Sequence, residues 1–187
     1  MFEGFIPAFL LIALSEFGDK SQLAAILLGA RYRHHHRNVF LGTMTAFAVL
    51  MLAAILFGAA LIALVPEETL KTIAAFAFVV IGVHTLVKRE KENVALRSGE
   101  GPFINSFTLI ALSELGDKTQ LAVILLVARM HDSTGIFLGA LAAEALLSFM
   151  AIFIGKEIAR RTKMHAIRYA GGIIFVLFGI AMLSGLV

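Results

Sequence analysis

Two eight-residue cassettes, SEFGDKSQ at 15–22 and SELGDKTQ at 113–120, place two acids, a lysine, hydroxyls and an amide close together. Neither contains a thiol or an imidazole. An all-oxygen donor set suits Mg²⁺, Ca²⁺ or Mn²⁺ and argues against Cu or Zn. The candidate metal ligands are Glu16, Asp19, Glu114 and Asp117, with Ser21, Gln22, Thr119 and Gln120 in support. Lys20 and Lys118 each follow a glutamate by four residues, the favourable order for an ion pair along a helix. They are the charge-balancing groups. With all six groups ionised, four carboxylates against two ammoniums leave two negative charges, which one divalent cation would balance. Once the metal departs, crowded carboxylates take up protons instead. Proton and metal would then compete for one site, the minimal chemistry of exchange.

On a straight helix Glu16 and Asp19 lie about 60° apart, with Ser15 on the same face and Ser21 turned away; Ser113, Glu114 and Asp117 repeat the pattern. Gly18 and Gly116 stand between the acids, where a helix can loosen, expose carbonyl oxygens and recruit Ser21 and Thr119. The bland alternative is that ion-paired helices merely glue a bundle together. Glue does not require both acids, the glycine and the glutamine to recur in each cassette.

The surroundings explain why the charges are conspicuous. Of 187 residues 59% are apolar and 16% charged, and the mean hydropathy is +0.91, well above soluble domains. Six apolar stretches, 4–30, 39–64, 70–88, 104–129, 134–156 and 165–187, each approach the roughly 20 residues of a spanning helix. A lipid environment leaves no partner for loose backbone groups, so the spans should be helical. The predicted fold is an all-α membrane protein. Glu16 and Asp19 inside the first stretch, with no basic segment before it, speak against a cleavable signal peptide. There is no cysteine, which excludes disulfides and thiolate chemistry. No nucleophile-and-base pattern or nucleotide loop stands out, so neither an enzyme nor an ATP-driven pump is expected.

Residues 9–31 align with 107–129 without a gap, with 18 identities in 23 positions. The correspondence continues through Gly42 with Gly139, Gly58 with Gly155 and Gly82 with Gly179. Each half is thus a three-helix unit, 1–88 and 104–187, joined by a polar linker at 89–103. Because three is odd, the second unit starts on the opposite side of the membrane. The reading is six transmembrane helices as two inverted repeats, a plan in which secondary transporters bind substrate at the midplane. Twelve of the sixteen basic residues fall in the loops 31–37, 88–97 and 156–168, against Lys71 and Arg129 on the other face. By the positive-inside rule those loops are cytoplasmic and both termini extracytoplasmic. This distribution accounts for the sequence pI near 9.5 without nucleic acid.

Glu144 is a fifth acid within a span, aligned with Phe47, and is a candidate proton relay or a carboxyl hydrogen-bonded to a neighbouring helix. The His34, His35, His36 tract could bind metal but reads more simply as part of a solvated basic loop. His84 is expected near the membrane interface. Gly42, Gly58, Gly139 and Gly155 suit close helix packing, and Pro66 followed by Glu67 and Glu68 suits a helix start.

The paired Glu-x-Gly-Asp-Lys-(Ser/Thr) signature, here EFGDKS and ELGDKT, resembles that of the Gdt-type cation transporters, and the resemblance extends over essentially the whole chain. It implies export of Mn²⁺, or Ca²⁺ in some members, from the cytosol in exchange for protons, with no resident cofactor. It maps the acidic ligands to Glu16, Asp19, Glu114 and Asp117, and the hydroxyl and amide positions to Ser21, Gln22, Thr119 and Gln120. The short chain resembles bacterial members, implying a bacterial plasma membrane and manganese. Three readings compete: Ca²⁺/H⁺ antiport, export of an amino acid or other small solute clamped by acids and lysines, and a structural membrane subunit.

Overall fold

A computed structural model describes residues 3–17, 19–87, 100–130 and 132–161, together with 173, 176, 177, 179–181, 183 and 184. Gly18, the side chains of Lys20 and His84, residues 88–99 of the linker and most of the expected last span lie outside the described residues. Among the described residues the regular structure is helical throughout: α1 (Phe5–Glu16), α2 (Lys20–Arg31), α3 (His36–Leu64), α4 (Glu67–Val87), α5 (Pro102–Glu114), α6 (Lys118–Met130) and α7 (Ser133–Arg161).

The expected spans over 4–30 and 104–129, read as loosening at their cassette glycines, are each a pair of half-helices. The breaks fall inside the two charged cassettes, between α1 and α2 and between α5 and α6. Among the described residues two stretches qualify as membrane spans by length and apolarity alone, His36–Ala60 of α3 and Ser133–Phe153 of α7. The half-helices, at 12 or 13 residues each, are about half the roughly 20 residues a span needs.

Local chemistry sets the helix starts. Pro102 opens α5, where its missing N–H and fixed φ are harmless, and α4 begins directly after Pro66. The start of α7 is held by Asp132. Its Oδ1 accepts from the Gly135 amide at 2.9 Å, an N-cap, and its Oδ2 accepts from the Gly4 amide at 3.0 Å. One carboxylate therefore ties the beginning of α7 to the beginning of α1. The two backbone hydrogen bonds hold the Asp132 carboxyl below the usual aspartate range.

Packing exchanges partners between the two homologous segments. α1 lies against α7 and α5 against α3; α2 also packs on α7 and α6 on α3. Both principal pairings depend on a glycine at the same place in the repeat. An added Cβ at Gly139 of α7 would lie 2.2 Å from the Phe5 carbonyl oxygen, and one at Gly42 of α3 would lie 2.4 Å from that of Phe103. No side chain fits between those backbones. Ala8, Ile12, Val123, Leu126, Ile136 and Ala140 form the interior where α1, α6 and α7 meet.

The outside is apolar. Ile6, Leu10 and Leu14 form an exposed stripe on α1, Val49, Leu52 and Leu56 one on α3, and Phe76, Val80 and Val83 one on α4. Steps of three and four residues put each set on one helix face. Meanwhile Glu16, Glu114 and Glu144 are fully or almost fully buried. Charge within and hydrocarbon without is the reverse of a water-soluble protein and suits a lipid surround.

Candidate cation site

Each break is a tight turn whose first and last residues are the two acids. In the second cassette Leu115 has φ −62° and ψ 116°, Gly116 has φ +77°, and the Asp117 amide donates to the Glu114 carbonyl at 3.0 Å. Those are the marks of a type II turn, whose third position requires positive φ and hence glycine. The first cassette repeats them in its described part: Phe17 has φ −61° and ψ 115°, and the Asp19 amide donates to the Glu16 carbonyl at 3.1 Å. In the second cassette Gly116 lets α5 end at Glu114 and α6 begin at Lys118. Each aspartate then leads a new helix, with the Leu23 amide donating to the Asp19 carbonyl and the Leu121 amide to that of Asp117, both at 3.3 Å.

This geometry corrects several expectations drawn from a straight helix. The Ser15 and Ser113 hydroxyls donate to the carbonyls of Ile12 and Ile110 one turn back. Gln120 spans the turn: its Nε2 donates to the Glu114 carbonyl at 3.0 Å and its Oε1 accepts from the Gly116 amide at 3.2 Å. It gives the Gly116 amide an acceptor and the Glu114 carbonyl a second donor. Ser21, which a straight helix turns away, donates to Glu16 Oε2 at 3.3 Å. Gln22 is half-buried.

The cassettes meet at Glu16. Thr119 Oγ1, from the second cassette, donates to Glu16 Oε1. Lys118 was expected to pair with Glu114 on its own helix; the break removes that continuity, and its ammonium instead bonds Asp19 and stands 3.6 Å from Glu16 Oε1. Glu16, Asp19 and Asp117 each bring a carboxylate oxygen within 4.8 Å of the others, a spacing that can hold a metal ion. Three of the four predicted acidic ligands therefore converge. Glu114 stands outside that trio, within electrostatic reach of Glu16, Asp117 and Glu144. Its Oε1 is buried with no hydrogen-bond partner among the described residues.

Glu144 of α7 is buried within electrostatic reach of Glu16, Lys118, Asp19 and Asp117. Its Oε1 likewise has no hydrogen-bond partner among the described residues. The histidine tract lies elsewhere. His36 Nε2 is 3.0 Å from the Gly29 carbonyl oxygen and its ring meets Phe153 edge-on, while His34 and His35 are exposed. Asp132 was missed in the sequence, although an aspartate directly before Ser133 and an apolar run is an N-cap signal.

The placement of charge runs against local helix preference. Glu16 and Glu114 end helices and Lys118 begins one, the reverse of what the helix dipole favours. Residues kept against their local interest point to a function that needs them there. Facing discontinuous helices with ionisable groups at the breaks are the layout of ion-coupled membrane transporters.

The chain belongs to the divalent cation/proton antiporter GDT1 family, which matches residues 4–93 and 102–186. It is accordingly a membrane transporter and not an enzyme. A GDT1-like protein of Synechocystis is 27% identical over 202 residues, covering 96% of each chain. A Vibrio cholerae protein named "Putative manganese exporter" is 30% identical over 174 residues, covering 91% of this chain and 85% of its own. The chloroplastic protein PAM71 of Arabidopsis thaliana is 29% identical over 215 residues, covering 98% of this chain and 57% of its own. No solved structure matches the chain.

Proposed function

We propose that this protein exports Mn²⁺ from the cytosol of a bacterium across the plasma membrane in exchange for protons, through one site shared by its two halves. Six spans in two inverted three-helix units, 1–88 and 104–187, with the linker 89–103 and the basic loops cytoplasmic, put both termini outside. The observation that carries the reading is the convergence of Glu16, Asp19 and Asp117 from two facing helix breaks. Glu114 completes the acidic set, Ser21 and Thr119 orient Glu16, Gln120 secures the second turn, and Gln22 is its counterpart in the first. Lys20 and Lys118 balance charge, and Glu144 passes protons between the site and one side of the membrane. Divalent ion and protons occupy the same carboxylate oxygens in turn, so loading one expels the other.

The choice of manganese draws on the name of the Vibrio cholerae relative and on the oxygen-only ligands. The test is uptake of Mn²⁺, Ca²⁺ and Mg²⁺ into proteoliposomes with an entrapped pH dye, for the wild type and Asp19→Asn. Mn²⁺ flux with a counter-movement of protons, lost in Asp19→Asn, is the expected result. Flux of Ca²⁺ alone would assign calcium as the cargo. Metal flux with no pH change would overturn the exchange.

A further inference from the structure

The proposed cation site contains a positive charge of its own, supplied by the opposite cassette from the acids it touches. Lys118 is the first residue of α6, yet its ammonium reaches Asp19 and Glu16 at the other break. The lysine side chain is 13% exposed and Glu16 is 0% exposed, so these charges meet away from water. Asp117, the third acid of the trio, precedes the lysine in sequence and lies in its electrostatic field. We infer that Lys118 is a tethered competitor of the transported cation, holding the carboxylates of the site when metal is absent and vacating them when it binds. The inference rests on the cation site proposed above.

Helix stability does not explain the position, because a cation at a helix N-terminus opposes the dipole. Interhelical glue does not explain the choice of partners either. The ammonium holds two of the three carboxylates whose oxygens lie close enough to share a metal. A divalent ion coordinated by Asp19 and Glu16 would stand within a few ångströms of that ammonium, with little water between to screen their repulsion. The two cations are alternatives. Lysine suits the task, since its single charge rides on a flexible four-carbon stem and can withdraw without backbone movement. In an emptied site the ammonium then balances one carboxylate while protons take up the others, and an arriving ion must displace the lysine as well as the protons.

The test is Mn²⁺ binding to the purified full-length protein in detergent, by calorimetry at one fixed pH. Lys118→Met, which keeps the stem and removes the charge, should bind Mn²⁺ at least tenfold more tightly than the wild type. Lys118→Arg should bind at least severalfold more weakly, because a guanidinium forks across two carboxylate oxygens and is harder to displace. A monodisperse Lys118→Met protein that binds Mn²⁺ equally or less tightly overturns the inference. Should Lys118→Met fail to fold, Lys118→Arg decides alone, and equal or tighter binding overturns it. Wild-type binding with both variants unchanged refutes the competitor and leaves the site standing. A folded wild type that binds none of Mn²⁺, Ca²⁺ and Mg²⁺ refutes both.

Discussion

Gly139→Ala is a small change with a calculable result. The new methyl carbon would sit 2.2 Å from the Phe5 carbonyl oxygen and 3.0 Å from the Phe5 Cα and carbonyl carbon. Carbon and oxygen ordinarily approach no closer than about 3.3 Å, so α1 and α7 must separate by about 1 Å. The obstruction is backbone and cannot rotate away; α1 has to move as a body. Overpacking of this kind costs about 1–3 kcal/mol. At about 2–4 °C per kcal/mol for a chain of this size, the melting midpoint should fall by about 2–12 °C. Size-exclusion profiles of heated, detergent-solubilised protein measure it, with Gly101→Ala as control, because a Cβ there meets nothing within 4 Å. Gly42→Ala, whose Cβ would lie 2.4 Å from the Phe103 carbonyl oxygen, should behave like Gly139→Ala. Transport should fall too, since α1 ends in Glu16 and α7 carries Glu144. A Gly139→Ala protein melting within a degree of wild type would show that α1 and α7 do not touch here and that the exchanged packing is wrong.

Three further substitutions probe the turn, the hub and the clamp. Gly116→Ala meets no steric obstacle but must hold φ +77°, a cost of about 1–2 kcal/mol that Asn should partly escape; melting midpoints that rank Ala at or above Asn would count against the turn. Thr119→Val removes a donor from a buried carboxylate, about 1–3 kcal/mol, whereas Thr119→Ser keeps it. Metal flux restored in Ser and absent in Val is the expected pattern, and equal flux in the two refutes the contact. Asp132→Ala tests pH linkage. Because the folded carboxyl lies below its ordinary value, its stabilisation is complete above the unfolded aspartate value, about 3.9, and is lost as pH falls through the lower folded value. The variant should melt below wild type at pH 7, with the gap closing in acid; a gap constant with pH would refute the clamp.

The repeat, the acids and the oxygen-only chemistry were legible because they are properties of composition and spacing. The helix breaks were legible only as a loosening at the cassette glycines that recruits Ser21 and Thr119; the form of the turn was not. Hydropathy registers side chains, and both 4–30 and 104–129 stay apolar enough to read as one element across the turn. What marks the interruption is the glycine between two acids, and it does so only when the four residues are taken as a type II turn with glycine third. Without the turn, straight-helix geometry pairs Lys118 with Glu114, whereas the loosening expected at the glycine already brings Ser21 to Glu16.

The pairing of Lys118 could not come from the cassettes at all. They differ only by Phe17 for Leu115 and Ser21 for Thr119, so each copy taken alone predicts the same arrangement as the other. Yet the Thr119 hydroxyl and the Lys118 ammonium both go to the first cassette, and among the described residues Glu114 Oε1 is buried without a hydrogen-bond partner. Two near-identical sets of ligands closing on one volume cannot both fill it. Among the described residues Glu16 receives the donors from the opposite cassette and Glu114 lies outside the acid trio. The asymmetry belongs to the folded arrangement of the halves, and a sequence repeat carries no record of which copy is at the centre.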